Sequence, residues 1–245
     1  MPSRPEIVEP PEIFNNDDEA RKLWERALEL LALPQDGVRR LLLDIGCRSG
    51  LSGERLTESG HHWVGLDISE SMLEVALERE AQGDLMHADM GQGLRLQPGV
   101  LDGAISISAV QWLCNADNPR KRLKAFFESL YRSLARGARA VFQAYAETDA
   151  QRVLIHSSAI RAGFSGGVVV DYPRSSKSRK EYLVLSCGPP SLSSAIPQGV
   201  GDDSDCSDDE SNEDEEFQVR VSHRRWLRKA QRLNMNARRR RSRRC

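Results

Sequence analysis

Long hydrophobic runs and paired cysteines are both missing from this chain of 245 residues. No apolar stretch approaches the roughly 18 residues of a membrane-spanning helix, and residues 1–13 hold four prolines and three glutamates where a secretion signal is apolar. No two cysteines form a C-x-x-C pair, which argues against a disulfide framework and a zinc cluster. The five are Cys47, Cys114, Cys187, Cys206 and Cys245. We therefore expect an intracellular protein with no metal of its own.

Charge of one sign is missing from each of two C-terminal segments, so the net charge of −1 is misleading. Residues 202–216 contain ten acids and no base, whereas residues 220–245 contain twelve bases and no acid. Such segments bury too little apolar surface to fold alone. We predict a flexible N-terminus (1–14), a folded domain (15–190), an acidic disordered linker (191–219) and a basic tail (220–245). The tail suits nucleic-acid phosphates or nuclear import, and a solvated charge run is the alternative.

Short apolar runs alternate with amphipathic stretches after a first helix that should end near Leu31. The runs are Leu41–Ile45, Trp63–Leu66, Leu85–Ala88, Ala104–Val110 and Ala140–Tyr145, and helices are expected near 50–59, 70–81, 119–135 and 149–162. Runs that are apolar throughout are typical of strands buried on both faces, as in a parallel sheet covered by helices. Gly167–Tyr172 and Tyr182–Cys187 lie too close for a crossover helix and should form an antiparallel hairpin at one edge. The sequence predicts an α/β fold with seven strands.

Three successive predicted strands end in an aspartate. Asp44 is followed by a turn with Gly46 and Gly50, and Asp67 and Asp89 close the next two strands. The carboxyl ends of parallel strands line one edge, where ligands bind, and glycines let backbone approach a ligand. Each aspartate could instead cap the next helix, but their recurrence favours a ligand site.

The same segments carry a family resemblance. They are Asp44–Gly46, Trp63–Ser69, Asp89–Gly93, Ile105–Ala116, Ala162–Gly167 and Val169–Pro173. Together they closely resemble the eukaryotic small-subunit (18S) rRNA guanine-N7 methyltransferases, the Williams–Beuren region methyltransferase family. The resemblance covers residues 10–190 and resumes weakly in the basic tail. Its most specific part is the segment Ser108–Ala116.

The resemblance implies a class I, Rossmann-like methyltransferase fold that binds S-adenosyl-L-methionine (SAM). Carried over by position, the cofactor-binding residues are Asp44, Gly46 and Gly50 for the methionine part, Asp67 and Ile68 for the ribose, Asp89 and Met90 for the adenine, and Ser106 near the methyl group. Trp112 and Asn115 are the expected substrate-binding residues. Trp112 would stack on an unpaired base, and a core position is its alternative. No residue is assigned a catalytic role, because guanine N7 has a lone pair and needs no general base.

The resemblance also implies partners and a location. It implies small-subunit rRNA in the pre-ribosome as substrate, and a small zinc-binding activator subunit paired with the sheet edge at Asp84–Asp89. It implies the nucleus, in the nucleolus and nucleoplasm, with the cytoplasm as a further compartment.

Two alternative functions remain at this point. Arg48 at the family's middle glycine and a short segment at residues 19–27 favour a catalytically weak or inactive ribosome-assembly factor of the same fold. A nicotinamide-dependent oxidoreductase is disfavoured, because Arg48 breaks the G-x-G-x-x-G fingerprint and no Tyr-x-x-x-Lys follows the fourth strand.

Overall fold

The computed structural model describes residues 17–173, 179–188 and 199–201, and side chains from residue 21 onward. Its elements are α1 (Asp17–Leu31), β1 (Leu41–Ile45), α2 (Leu51–Glu58), β2 (His62–Asp67), α3 (Glu70–Glu78), β3 (Asp84–His87), β4 (Leu101–Ile107), α4 (Trp112–Asn115), α5 (Pro119–Ser133), β5 (Leu134–Gln143), α6 (Asp149–Ala162), β6 (Ser165–Asp171) and β7 (Lys180–Ser186). A 3-10 turn, Met90–Gln92, follows β3. The N-terminal segment 1–14, the acidic block 202–216 and the basic tail 220–245 lie outside the described residues.

The strands form a seven-stranded sheet in the order β3-β2-β1-β4-β5-β7-β6. The first five strands pair in parallel, while β7 runs antiparallel to both of its neighbours, β5 and β6. The predicted α/β class, the strand number and the C-terminal antiparallel hairpin are confirmed. Since β6 is parallel to β1, the carboxyl ends of β1 to β6 and the start of β7 share one edge.

Helices cover both faces of the sheet. On one face, Leu23, Trp24 and Leu30 of α1 and Leu56 of α2 pack on strand residues such as Ile105. On the other face, α5 and α6 enclose a cluster of aromatic rings, Phe126, Phe127, Phe142 and Phe164, with centroids 4.9–6.3 Å apart. Burial on both faces is the reason that the central strands β1 and β4 are mostly apolar. None of the described helices is long and apolar enough to cross a membrane.

The fifth strand, Leu134–Gln143, starts six residues before the expected Ala140. The fourth strand is displaced at both ends. It spans Leu101–Ile107, three residues earlier than expected, and Ser108 turns the chain with a left-handed φ of 53°. Val110 is fully buried outside the strand, so its apolar character reflects core packing and not strand structure. The short helix α4 follows directly and was not predicted. Asp89 likewise lies two residues beyond β3, at the start of the 3-10 turn.

An ion pair joins α1 to the end of β6. Arg26 donates to both carboxylate oxygens of Asp171, at 2.9 and 3.1 Å, and both side chains are nearly buried. The backbone N–H of Val200 also donates to Asp171, at 2.9 Å, and the carbonyl of Val200 accepts from Tyr172 N, at 2.8 Å. Residues 199–201 therefore pack on the domain beyond the boundary expected near residue 190.

Candidate cofactor site

The predicted cofactor residues converge on the carboxyl edge of β1, β2 and β4. Asp44 in β1 pairs with Gly65 of β2 on one side and with Ile105 of β4 on the other. Asp67 is the last residue of β2. Because β1 is central among these strands, its carboxyl end lies at the middle of the site, where the glycine turn begins.

The turn after β1 depends on two glycines in left-handed backbone. Gly46 has φ +79°, and a Cβ on it would lie 2.6 Å from Cβ of Ala109. Gly50 also has φ +79°, and caps the N-terminus of α2. Side chains at these positions would strain the backbone, and at Gly46 would also clash with the loop after β4. Arg48, between them, adopts a left-handed φ of 51° without being glycine.

Asp44 is a buried carboxyl group, only 1% exposed. The hydroxyl of Ser52, in the first turn of α2, donates to it. Burial raises the pKa of Asp44 to about 7; the Ser52 hydrogen bond opposes this rise and the negative charge of Asp67 adds to it. Within the described residues no basic side chain offsets the rise, so a cation bound here would stabilise the ionised form.

Asp67 is held rigidly by two backbone donors. Arg48 N donates to one carboxylate oxygen and Ser69 N to the other, each at 2.8 Å. A carboxylate has about four lone-pair positions, so each oxygen can accept one further hydrogen bond. Asp67 thus joins the glycine turn to the start of α3, and can accept bonds from two neighbouring hydroxyls, as a ribose presents them.

Asp89 is oriented by a partner that the sequence analysis did not identify. Gly91 N donates to Oδ1 of Asp89 at 2.8 Å, and Arg122 of α5 donates to the same oxygen at 2.6 Å. Gly91 packs on the guanidinium, because a Cβ there would lie 2.5 Å from Cζ of Arg122. The other carboxylate oxygen has only a long contact, 3.4 Å, to Gln92. Met90 is half-buried beside the core.

The Ser106 hydroxyl and the Ile68 carbonyl form contacts within the protein. Ser106 is fully buried, and its hydroxyl donates to the carbonyl of Ile45 at 3.0 Å, which ties β4 to β1. The carbonyl of Ile68 lies 3.0 Å from Nε2 of His87. Ser108 is closer to the open edge, and its hydroxyl donates to Oε1 of Gln143 at 2.7 Å. The contacts of Ser106 and Ile68 with a cofactor stay predictions.

Trp112 and Asn115 lie together on α4, directly beyond the site. Trp112 is half-buried, and its backbone N–H donates to the carbonyl of Ala109, next to Gly46. The side-chain oxygen of Asn115 accepts from Gln151 of α6 at 2.9 Å. Asn115 therefore anchors α4 to α6, and its contact with a substrate stays a prediction.

This arrangement fits SAM by its chemistry. The buried carboxyl group of Asp44 lacks a cationic partner among the described residues, and SAM carries positive charge on its sulfonium and amino groups. Asp67 and Asp89 each keep acceptor capacity, for ribose hydroxyls and an adenine amino group. The described residues place no group of three or more His, Cys, Asp or Glu side chains for a metal ion.

Ser52 and Arg122 were missed from the sequence. Ser52 had a usable signal, because it lies in the first turn of the helix that follows the glycine turn. Arg122 had none, since it is 33 residues from its partner, Asp89.

Comparison with known proteins identifies the domain and its fold. Residues 43–142 match a family model described as a methyltransferase domain. The structure resembles a phosphoethanolamine N-methyltransferase of Haemonchus contortus, solved with S-adenosylhomocysteine, with a TM-score of 0.55. That match has 16% sequence identity and covers 69% of this chain and 53% of the other. It shows the class I methyltransferase fold.

Curated relatives are similar over most of the chain. The 18S rRNA (guanine-N(7))-methyltransferase RID2 of Arabidopsis thaliana is 61% identical, with 96% of this chain and 87% of the relative covered. The 18S rRNA (guanine-N(7))-methyltransferase of Mus musculus is 53% identical, with 82% and 76% covered. The oxidoreductase alternative is left without support. On this evidence the chain belongs to the 18S rRNA (guanine-N(7))-methyltransferase family.

Proposed function

We propose that this protein transfers a methyl group from SAM to N7 of a guanine in small-subunit rRNA during ribosome biogenesis. The observation that carries the proposal is the convergence of Asp44, Asp67 and the glycine turn at one sheet edge. It occurs in a chain that is 61% identical to a protein named for this reaction. The carboxyl edge is where an open α/β sheet binds its ligand.

The reaction needs placement and charge more than proton transfer. When bound, SAM supplies an electrophilic methyl group on a positively charged sulfur. Guanine N7 attacks with a lone pair that is free at neutral pH, so no side chain has to remove a proton. The residues of the chain hold the cofactor in line with N7 and keep water away, which can lower the barrier by about 7–11 kcal/mol.

Each carboxylate has a separate task in this mechanism. Asp44, once ionised, provides negative charge beside the methionine part of the cofactor. Asp67 accepts the ribose hydroxyls while Arg48 N and Ser69 N keep its orientation. Asp89, oriented by Arg122, accepts from the adenine amino group. Trp112, beside the turn after β4, stacks on the target base once it leaves its helix.

The partners and compartment are part of the same proposal. A small zinc-binding activator pairs with β3, which is an edge strand of the described sheet and includes the exposed residues Asp84 and His87. An uncovered edge strand favours association, so a partner there also aids solubility. The basic tail, residues 220–245, supplies phosphate contacts and directs the protein to the nucleus.

The test is methylation of two matched RNAs by the full-length chain, co-expressed with the activator. One RNA carries guanine at the target position. The other carries 7-deazaguanine, in which a C–H group replaces N7 and its lone pair. We expect methyl transfer from labelled SAM to the first RNA and none to the second. Equal labelling of both RNAs would contradict N7 as the acceptor.

The assembly-factor alternative rests on Arg48, which occupies the cofactor turn. It predicts a protein that binds the RNA and does not bind S-adenosylhomocysteine in calorimetry. Measurable binding of S-adenosylhomocysteine together with methyl transfer would exclude that alternative.

A further inference from the structure

Two tyrosines and a lysine lie side by side on the part of the carboxyl edge that the cofactor site does not use. Tyr145 follows β5 by two residues, Tyr172 directly follows β6, and Lys180 is the first residue of β7. In the strand order β5-β7-β6, Lys180 therefore lies between the two tyrosines. Lys180 also pairs with Asp171, the neighbour of Tyr172. We name Tyr145, Lys180 and Tyr172 the tyrosine strip.

Both tyrosines are partly exposed, and a cation contacts one of them. Tyr145 is 37% exposed and Tyr172 is 39% exposed. Nζ of Lys180 lies 5.5 Å from the centroid of the Tyr145 ring and 3.1 Å from its hydroxyl oxygen. Aromatic rings that alternate with cations suit single-stranded nucleic acid, because bases stack on the rings while the cation attracts phosphate. A double helix offers no free base face to such rings.

The backbone of Tyr172 is held in place before any ligand binds. Its φ of 51° is left-handed, which is unfavourable for a bulky residue and persists only where the surroundings impose it. Those surroundings are the Arg26 pair with Asp171 and the bond from Tyr172 N to the carbonyl of Val200. A ring on a constrained backbone loses less conformational entropy when a base stacks on it than a ring on a mobile loop does.

The position of the strip suits nucleotides next to the target guanine. β4 separates β5 from β1, so Tyr145 follows a strand about 10 Å from the strand that carries Asp44, at roughly 4.8 Å for each strand step. The strip then extends across β7 to β6, away from the cofactor. A single-stranded RNA bound along the tyrosine strip would have one end at the cofactor site.

We propose that the tyrosine strip binds the unpaired RNA that flanks the target guanine, with bases stacked on Tyr145 and Tyr172 and a phosphate beside Lys180. This inference rests on the proposed function and adds the surface that selects a single-stranded substrate. It is separate from the role of Trp112, which concerns the target base itself.

The test compares the affinity of the full-length chain for a single-stranded RNA and for the same sequence in a duplex. Tyr145→Ala and Tyr172→Ala should each weaken single-strand binding at least fivefold and leave duplex binding unchanged. Tyr145→Phe and Tyr172→Phe should bind like the original chain, because they keep the stacking face. Lys180→Met should reduce the slope of log affinity against log salt by about 0.7, the share of one single-strand phosphate contact.

Two controls separate this inference from folding and from the proposed function. Leu77→Ala, on α3, removes a side chain that is 65% exposed and remote from the strip, and should leave RNA affinity unchanged. Calorimetry with S-adenosylhomocysteine should give the same affinity for all variants. A variant that carries both Tyr145→Ala and Tyr172→Ala should lose the most affinity. If it binds the single strand within twofold of the original chain and its cofactor binding is intact, the proposed role of the tyrosine strip is overturned. If the unmodified chain neither binds the cofactor nor transfers a methyl group, the proposed function is overturned instead.

Discussion

Two buried aspartates at the same sheet edge have opposite surroundings. Asp44, at the end of β1, is 1% exposed and receives a hydrogen bond from the neutral hydroxyl of Ser52. Asp171, at the end of β6, is 3% exposed and receives two bonds from the cation Arg26 and one from the backbone of Val200. Burial of Asp44 disfavours its ionised form, whereas the negative charge of Asp171 is balanced by Arg26.

The difference separates the half of the edge that we propose for the cofactor, named here the ligand-binding half, from the half around Asp171, named here the structural half after the role of this carboxylate. A buried carboxylate without a cationic partner destabilises the folded chain when it is ionised, and our proposal is that the bound cofactor supplies the cation that offsets this cost. A carboxylate paired with Arg26 stabilises the arrangement of α1 on β6 and is not available to a ligand. The two halves should therefore respond differently to substitution, pH and cofactor.

The largest effect should be the pH dependence that Asp44 imposes on stability. An unfolded aspartate has a pKa of about 3.9, whereas that of Asp44 in the folded chain is about 7. Between these values the unfolded chain releases a proton that the folded chain keeps, so stability falls as pH rises. The loss is up to about 1.4 kcal/mol for each pH unit, or about 4 kcal/mol in all, and ends above pH 7.

Asp44→Asn isolates this effect, because an amide does not titrate. In urea unfolding from pH 4.5 to 8, the variant should gain stability relative to the original chain as pH rises towards 7. Two parallel curves of stability against pH would show that the pKa of Asp44 is not raised. S-adenosylhomocysteine binding by the original chain should tighten over the same range, since ionised Asp44 attracts the amino group of the ligand.

The structural half should lose stability without losing cofactor affinity. Asp171→Ala leaves the largely buried guanidinium of Arg26 without its main partner, which should cost about 3 kcal/mol in urea unfolding. Glu29→Ala removes the exposed second partner of Arg26 and should cost at most about 1 kcal/mol. Both variants should bind S-adenosylhomocysteine as the original chain does. Weakened binding in Asp171→Ala at a temperature where it is folded would break the division between the halves.

The ligand-binding half should behave in the opposite way. Asp67→Ala removes the proposed acceptor for two ribose hydroxyls. Hydrogen bonds to a charged group contribute about 1.5–3 kcal/mol, so the variant should bind the cofactor at least tenfold more weakly. Glu74→Ala, an exposed change on the neighbouring helix α3, serves as its control. Calorimetry with SAM measures both. Unchanged affinity in Asp67→Ala would remove Asp67 from the site.

Most of the fold could be predicted because burial on both faces leaves a direct signal in the sequence. The run Leu41–Ile45 is apolar except for Asp44, and the structure has β1 at the same residues. The error at β4 arose where this signal is ambiguous. Ile107 and Val110 are both buried, but the left-handed turn at Ser108 ends the strand between them, and no glycine marks that turn.

The site could be predicted at its glycines and aspartates and not at their partners. Strand ends meet at one edge of any parallel sheet, so Asp44 and Asp67 could be placed together from the sequence alone. The contact of Arg122 with Asp89 depends on how α5 packs beside the 3-10 turn, and the bond from Arg48 N to Asp67 depends on turn geometry. Neither follows from a local pattern of residues.

The smallest predicted effect concerns Arg48, where the sequence departs from its family. Its left-handed φ of 51° suits glycine better than arginine, so Arg48→Gly should stabilise the chain by about 1 kcal/mol. Removing the side chain should also open the turn and tighten SAM binding by about threefold, as measured by calorimetry. Arg48→Ala separates the two causes, because it shortens the side chain and keeps the backbone cost. Equal tightening in both variants would assign the effect to crowding, and tightening in the glycine variant alone would assign it to the backbone. Weaker binding in the glycine variant would mean that the arginine side chain contacts and stabilises the cofactor. The presence of arginine where the family has glycine would then strengthen the ligand-binding half.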